Sequence, residues 1–559
     1  LTSNATLHLS SRVALQGADE HPHAAARLRE EWADLDWIEA RQGESIPSTM
    51  PTVLLTASDS LEEGAFRISV ETNGTQRITV TGGPYSGVIY GVEELVQRIA
   101  KRVPNGISVE AGITDRKPAL AYRTFWTWDH STNWELNQIG HQEIGVFNPY
   151  GKPPQGFLRD YQRMVDFCSK HQISAIVIYG MLRDSHGGIP AAQELCDYGK
   201  YRGVRVIPGL AIGAYGGVYW EGDHKYNLAT WLAQNPEFAA EMERGVGFQL
   251  KDLSFPLNFP KSDYTRTACP SRPESIAWME DSISWLVDTL RPGGINVEGG
   301  DYGVCGCALC IKRRGDRELA SRRDHNAEFW SHADMADNFP RLFNAAKSID
   351  SDLWVYCELQ WDNLLDEDAH EPLSTLPKGG IYQHTFNRSY WDRMKTELTS
   401  AQVAALPTKT NVIRSQFACQ WNGDDRTERY AFNAPVFAEL SKKAEDVSMQ
   451  GLTVWGEPSP YNVSSELSYL AFGRFGYDSS LTWADFVASD IAPRVGGAGE
   501  AEAFISLMQE MDANQFLDVG RLTAIRDEAL SAASSQSGEA VRRWLWLSER
   551  ANQRVYMGY

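Results

Sequence analysis

Ile295-Asn-Val-Glu-Gly-Gly-Asp-Tyr-Gly-Val-Cys-Gly-Cys-Ala-Leu-Cys310 is the most chemically loaded stretch of this 559-residue chain. A short apolar run, Ile295 to Val297, leads into it and reads as a buried strand. The strand runs out into a glycine-rich loop that carries two carboxylates, Glu298 and Asp301, and three cysteines, Cys305, Cys307 and Cys310. Acid chemistry beside a metal clamp, directly after a buried strand, points to a site built on strand ends.

The same strand-loop-helix order extends in both directions, from about residue 120 to about residue 475. Candidate strands are Ala121–Phe125, Ala175–Tyr179, Val204–Gly209, Gly294–Val297, Leu353–Glu358, Gly380–His384, Asn411–Gln416 and Gly451–Trp455. Helical stretches such as Pro154–Lys170 and Pro273–Leu290 lie between them. Alternation of this kind predicts an α/β fold with a (β/α)8 TIM barrel, whose chemistry sits at the C-terminal strand ends.

Ahead of the barrel, Thr52–Ala57 reads as a strand, and Phe66–Val70 and Arg77–Thr81 alternate apolar and polar residues around an Asn73-Gly74 turn. Val92, Leu95, Val96 and Ile99 then fall at helical spacing. Beyond residue 480 the chain is helical and polar over Trp483–Val495, Glu500–Ala513, Val519–Ala533 and Glu539–Val555. The expected organisation is a small α/β N-terminal domain over 1–117, the barrel over 118–478 and a C-terminal helical domain over 479–559.

A formal net charge of −20 makes nucleic acid and anionic membrane surfaces poor partners. No apolar run approaches a membrane span. The chain begins at Leu1 without a basic-then-apolar leader, which suggests either a secreted or periplasmic protein whose signal peptide was removed or a trimmed chain. The 18 Trp and 22 Tyr serve either large packed cores or stacking surfaces for flat ligand faces such as sugar rings.

The expected strand ends collect carboxylates and indoles. The first gives Trp126, Trp128 and Asp129; the second Arg183, with Asp184 and His186 nearby. Glu298, Asp301 and Tyr302 follow the fourth, Glu358 and Asp362 the fifth, and His384 and Arg388 the sixth. Gln416 and Trp421 follow the seventh, and Trp455 and Glu457 the eighth. One carboxyl to protonate a leaving oxygen, another to attack or activate water, and aromatic platforms for the ring are what glycoside hydrolysis requires. A loop Asp or Glu is ordinarily just solvated, which covers Asp129, Asp184 or Asp362 taken singly. Glu298 and Glu358 end apolar strands, where a carboxylate without a purpose would be costly to bury. His384 reads equally as a hydrogen-bonded packing residue.

Cys305-x-Cys307-x2-Cys310 needs a fourth ligand to close a tetrahedral site, and Cys269 of Thr267-Ala-Cys-Pro-Ser-Arg-Pro-Glu274 is the candidate. Four thiolates suit a structural Zn²⁺, with no position left open for catalysis. Disulfides and buried free thiols are the other readings. Cys168, Cys196, Cys357 and Cys419 read as core residues.

The layout resembles exo-acting glycosidases: the family 20 β-N-acetylhexosaminidases, the family 67 α-glucuronidases and less characterised relatives. Gly82-Gly-Pro-Tyr-Ser-Gly-Val-Ile-Tyr-Gly-Val-Glu-Glu-Leu95 resembles the end of their leading α/β domain. Trp455-Gly-Glu457 with Glu466 to Asp478 looks like their barrel exit, and Cys269 with the later cysteines looks like the uncharacterised relatives. Family 20 enzymes carry Gly-Gly-Asp-Glu after strand four, where this chain has Gly299-Gly300-Asp301-Tyr302. Asp301 matches the residue that orients an acetamido group, and Tyr302 stands in the acid position. A phenol with a pKa near 10 is a poor acid at neutral pH, which makes Glu298 the natural replacement.

The resemblance implies an exo-acting glycoside hydrolase that removes terminal sugars from oligo- or polysaccharides. Glu298 is the expected general acid, Glu358 the base or nucleophile, and Asp301 a holder of a sugar hydroxyl or an aid to Glu298. Glu457 is the other candidate second carboxylate. Trp126, Trp128, Trp421 and Trp455 are candidate walls, and Arg183 and Arg388 would reach a carboxylate if the sugar were a uronic acid. The rival reading is a non-catalytic carbohydrate-binding protein on a glycosidase scaffold.

Overall fold

The computed structural model describes residues 5–41, 43–47, 49–74, 76–129, 154–213, 216–241, 267–299, 305–314, 332–360, 367–386, 391–418, 431–456, 463–513 and 517–557. At its centre eight parallel strands close into a barrel in simple sequence order. They are β1 (Tyr122–Trp128), β2 (Ala175–Tyr179), β3 (Arg205–Leu210), β4 (Gly294–Val297), β5 (Trp354–Gln360), β6 (Ile381–Phe386), β7 (Thr410–Ala418) and β8 (Gly451–Gly456). Pairing of β1 with β8, Phe125 opposite Val454, closes the ring. All eight expected strands are present, with ends within a few residues of those read from the sequence.

The strands are apolar because a parallel barrel covers both faces of each. β2, Ala-Ile-Val-Ile-Tyr, is buried throughout. Outer helices supply the other layer: Pro154–Lys170 follows β1, and Pro273–Leu290 precedes β4 and turns back through Arg291 in the left-handed region at φ 47°. The barrel core joins the strand residues Ile176, Ile207, Ile295 and Val355 to the helical Met164, Ile283 and Leu286.

The N-terminal region forms a six-stranded sheet in the order Asp36–Ala40, Arg12–Gln16, Thr52–Ala57, Arg77–Gly82, Phe66–Glu71, Gly112–Arg116. Beside it lies a three-stranded sheet of Thr6–Leu9, Gly106–Glu110 and Lys101–Val103. Phe66–Glu71 and Arg77–Gly82 pair antiparallel across the expected turn. Gly87–Glu94 is helical and its last turn widens to a π-helix over Leu95–Ile99. Buried Arg123 joins this region to the barrel: it donates to Gln172 O at 2.7 Å and lies 5.8 Å from the Tyr90 ring centre and 5.3 Å from that of Tyr477.

Helices Ala498–Ala513, Val519–Ser535 and Glu539–Met557 share a core that includes Phe504, Met508, Trp544 and Leu547. They pack on the helix Val463–Tyr477, where Glu466 accepts from Arg543 at 2.5 Å and from Arg542 at 3.0 Å. No described helix is long and apolar enough to cross a membrane.

Candidate active site

The upper layer of the barrel is polar, and it is organised around Glu358. This residue lies near the C-terminal end of β5 and is buried. Its Oε1 accepts from Trp126 Nε1 at 2.5 Å, from Asn296 Nδ2 at 2.7 Å and from Tyr179 OH at 2.9 Å. Those donors stand on β1, β4 and β2; β4 adjoins β5, while the contacts from β1 and β2 cross the lumen. Period-two alternation explains the grouping: Asn296, Glu358 and Gln383 all point inward from an otherwise apolar wall. Gln383 Nε2 donates in turn to Asn296 Oδ1, and Asn296 Nδ2 also reaches Tyr179 OH at 2.6 Å. One layer below, Thr124 and Tyr356 exchange a second cross-barrel hydrogen bond at 2.9 Å.

The other oxygen, Oε2, faces Arg414 Nη1 at 3.7 Å. Indoles surround the carboxylate. Trp126 lies 4.7 Å from Trp455, 5.4 Å from Trp128 and 4.4 Å from the Tyr179 ring, centre to centre. A carboxylate buried among indoles is expensive unless it is hydrogen-bonded, and three donors on one oxygen offset that cost.

Glu298 directly follows β4 and is half-buried, with its amide donating to Leu210 O at 2.9 Å. Burial raises the Tyr179 phenol well above its usual range, and the Glu298 and Glu358 carboxylates push it further. Tyr179 therefore stays a neutral donor between the two acids named from the sequence. Trp126, Trp128, Trp455, Glu298 and Glu358 thus come together at one end of the barrel.

Asp129 and Arg183 form an adjoining cluster. Arg183 Nε lies 2.9 Å from Asp129 Oδ2, and His186 Nε2 lies 3.2 Å from the same oxygen. The Arg183 guanidinium rests 5.5 Å from the Trp220 ring centre, and Trp220 lies 5.9 Å from Trp128. His384 is not brought into either group. It alternates with Gln383 and so faces away from the lumen, where its Nε2 lies 3.0 Å from Asn411 Oδ1 and burial lowers it to about 4. Its expected role as a substrate contact gives way to packing. Asp301, Tyr302, Arg388, Trp421 and Glu457, like Cys419, lie outside the described residues, as does the side chain of Gln416.

Tyr179, Asn296 and Arg414 escaped the sequence reading, which weighed strand ends above strand interiors. The signal was available. Asn in Gly-Ile-Asn-Val297 and Arg in Val412-Ile-Arg-Ser415 are polar residues inside apolar barrel strands, where burial demands partners.

Cys269, Cys305, Cys307 and Cys310 are all buried, with sulfurs within 4.8 Å of one another. Cys269 Sγ lies 3.6 Å from Cys307 Sγ, 3.6 Å from Cys310 Sγ and 3.7 Å from Cys305 Sγ. These spacings far exceed the ~2.05 Å of a disulfide. They match the ~3.8 Å edge of a sulfur tetrahedron about 2.3 Å from a central Zn²⁺. Hydrogen bonding among the thiols lowers Cys305 and raises Cys269. The Glu241 amide points at Cys305 Sγ from 3.4 Å, and Ser271 Oγ lies 2.9 Å from Cys310 Sγ. The residues can hold a metal ion, and the cluster ties the chain before the Pro273–Leu290 helix to the chain after β4. Cys168, Cys196 and Cys357 are buried, as expected of core residues.

No family model matches this sequence, and no curated protein matches it. Solved structures do match its fold. A family 138 glycoside hydrolase described as targeting pectin rhamnogalacturonan II superposes with a TM-score of 0.55 at 10% identity, over 98% of this chain and 69% of that one. The β-hexosaminidase of Streptomyces plicatus, in complex with GlcNAc, superposes with a TM-score of 0.51 at 12% identity, over 89% of this chain and 93% of that one. The family 20 β-N-acetylhexosaminidase of Streptomyces coelicolor gives 0.50 at 12% identity, over 87% and 91%. At such identities the likeness is one of fold, and it agrees with the family 20 resemblance seen in the sequence.

Proposed function

We propose that this chain is an exo-acting glycoside hydrolase that removes a terminal sugar from an oligo- or polysaccharide. The observation that carries the reading is the setting of Glu358. Trp126 and Asn296 offer Oε1 donors only, so that oxygen is committed as an acceptor. An acceptor held rigidly at the C-terminal end of a barrel strand suits a base or nucleophile, not an acid. Glu298, on the adjacent strand end, takes the role of general acid and protonates the departing oxygen. Asp301 holds a sugar hydroxyl or assists Glu298. Trp126, Trp128 and Trp455 provide apolar walls for the ring, and Trp421 is proposed as a further one from its sequence position. The four cysteines hold a structural Zn²⁺ that supplies no chemistry to the reaction.

The test is turnover of a panel of aryl glycosides by the wild type, Glu298→Gln and Glu358→Gln. Glu358→Gln is expected to lose about a thousandfold or more in kcat on every substrate. Glu298→Gln should lose most on glycosides with poor leaving groups and far less on activated aryl glycosides, which depart without a proton. Full activity in both variants defeats the assignment. Saturable saccharide binding with no turnover in the wild type would make this a carbohydrate-binding protein on a glycosidase scaffold.

A further inference from the structure

Arg414 lies inside β7 and is buried, with its side chain 6% exposed. Its guanidinium sits between two indoles, 4.4 Å from the Trp126 ring centre and 4.9 Å from that of Trp455. Nη1 donates to Thr385 Oγ1 at 3.1 Å and stands 3.7 Å from Glu358 Oε2, beyond hydrogen-bond reach. Among the described residues Nε is buried without a hydrogen-bond partner. A guanidinium carries five N–H donors, and each one left without an acceptor in a dry site is costly. Glu358 does not relieve this, because its hydrogen bonds are collected on Oε1 by Trp126, Asn296 and Tyr179. A charged, under-bonded donor set on the lumen side of a barrel, beside a carboxylate, is suited to a ligand oxygen.

We propose that Arg414 is a specificity-determining residue that donates to the 2-hydroxyl of the terminal sugar, so that the substrate carries a hydroxyl and not an acetamido group at that carbon. This rests on the reading of Glu358 as the carboxylate that works at the anomeric carbon. With that carbon seated against Oε2, the oxygens around it are the glycosidic oxygen, which the acid Glu298 takes, the ring oxygen and the oxygen on carbon 2. The ring oxygen gains positive charge in the oxocarbenium-like transition state, so a guanidinium there would oppose the reaction. The 2-oxygen has no such penalty, and hydrogen bonds to it strengthen as the transition state forms. A 2-acetamido group puts an N–H where the hydroxyl oxygen would be, and its carbonyl acceptor lies two bonds further out, off the position that a 2-hydroxyl fills.

The experiment uses iminosugars in matched sets: 1-deoxynojirimycin, its 2-deoxy counterpart and its 2-acetamido counterpart, with the equivalent galacto-configured set. Binding to the full chain is measured by calorimetry for the wild type, Arg414→Met and Arg414→Lys, with thermal melts alongside. In at least one configuration the 2-hydroxy ligand should bind about tenfold or more tightly than its two counterparts. That ratio should fall to within about threefold in Arg414→Met and stay intermediate in Arg414→Lys, which keeps a charged donor but loses the fork. Should Arg414→Met melt early, the Arg414→Lys ratio decides. A ratio near one for both sets in the wild type, a ratio unaffected by the substitutions, or no binding at all overturns the proposal. An Arg414-dependent preference without turnover of any aryl glycoside leaves this role intact and defeats the hydrolase reading. Equal turnover of 2-hydroxy and 2-acetamido glycosides, indifferent to Arg414, defeats the Arg414 proposal and leaves the hydrolase standing.

Discussion

Trp126 on β1 and Glu358 on β5 meet across the barrel lumen, with the indole Nε1 2.5 Å from the carboxylate Oε1. The two residues are 232 positions apart in sequence and sit on opposed strands of an eight-stranded ring. An indole N–H donates only, so the contact both orients the carboxylate and compensates its burial. It also sets the plane of an aromatic wall directly beside that carboxylate.

Replacing Trp126 with Phe keeps much of the wall and removes that donor. A hydrogen bond to a charged group contributes about 1.5–3 kcal/mol, so kcat on a competent glycoside is expected to fall about 10- to 100-fold. The melting temperature should move little, because Asn296 and Tyr179 still hold Oε1. Asn296→Ala should behave differently. It strips partners from Glu358, Tyr179 and Gln383 together, and denaturant titration should show a loss of about 2–3 kcal/mol as well as of activity.

Buried histidines make stability depend on acid. Burial lowers His23 from 6.5 to about 4, with Arg202 and Arg27 adding to the effect, and burial lowers His384 to about 4. The folded state then refuses protons that the unfolded chain accepts. Their contribution is complete above pH 6.5 and is lost as the pH falls through about 4, by roughly 1.4 kcal/mol per pH unit for each group. Melting temperatures measured from pH 7.5 down to pH 4.5 should therefore decline. His384→Leu should show a shallower slope than the wild type, whereas an unchanged slope would exclude His384 as a contributor.

The cysteine cluster should contain one Zn²⁺ per chain by elemental analysis of protein purified without added chelator. Cys269→Ser and Cys310→Ser each remove one corner of the tetrahedron. Both should lower the metal content and melting temperature. Co²⁺ substitution should give the visible absorption of a tetrahedral thiolate site, and an octahedral spectrum would exclude four-sulfur ligation.

Gly180 has a φ of 73°, and an added Cβ would lie 2.8 Å from both Asp129 Oδ1 and Arg183 Nη2. Gly180→Ala therefore meets backbone strain and a clash within one ion pair. A loss of about 1–3 kcal/mol is expected in denaturant melts. Gly499→Ala is the control: its added Cβ meets nothing within 4 Å, and its stability should stay within about 0.5 kcal/mol of the wild type.

Much of the architecture was present in local pattern. Runs such as Ala-Ile-Val-Ile-Tyr179 and the helical stretch Pro273–Leu290 have the bounds their apolar periodicity suggests, because burial on both faces leaves little choice of residue. The cysteine spacing likewise pointed to a cluster, and Cys269, 36 residues before Cys305, joins the other three sulfurs. Carboxylates at strand ends were equally visible, because a charge following an apolar run is conspicuous.

What the amino-acid order alone determined is the sequence of strands and helices, the barrel they imply, and the acids and sulfurs placed at strand ends. Tertiary structure decided which inward side chains share a layer. Alternation assigns a side chain to the lumen or the helix face, but only closure of the ring, with its tilt and stagger, sets heights across the lumen. Alternation alone turns His384 outward where Gln383 turns in, and closure decides which residues Gln383 meets. Closure is also why Trp126, Tyr179, Asn296 and Arg414, from four different strands, converge on Glu358.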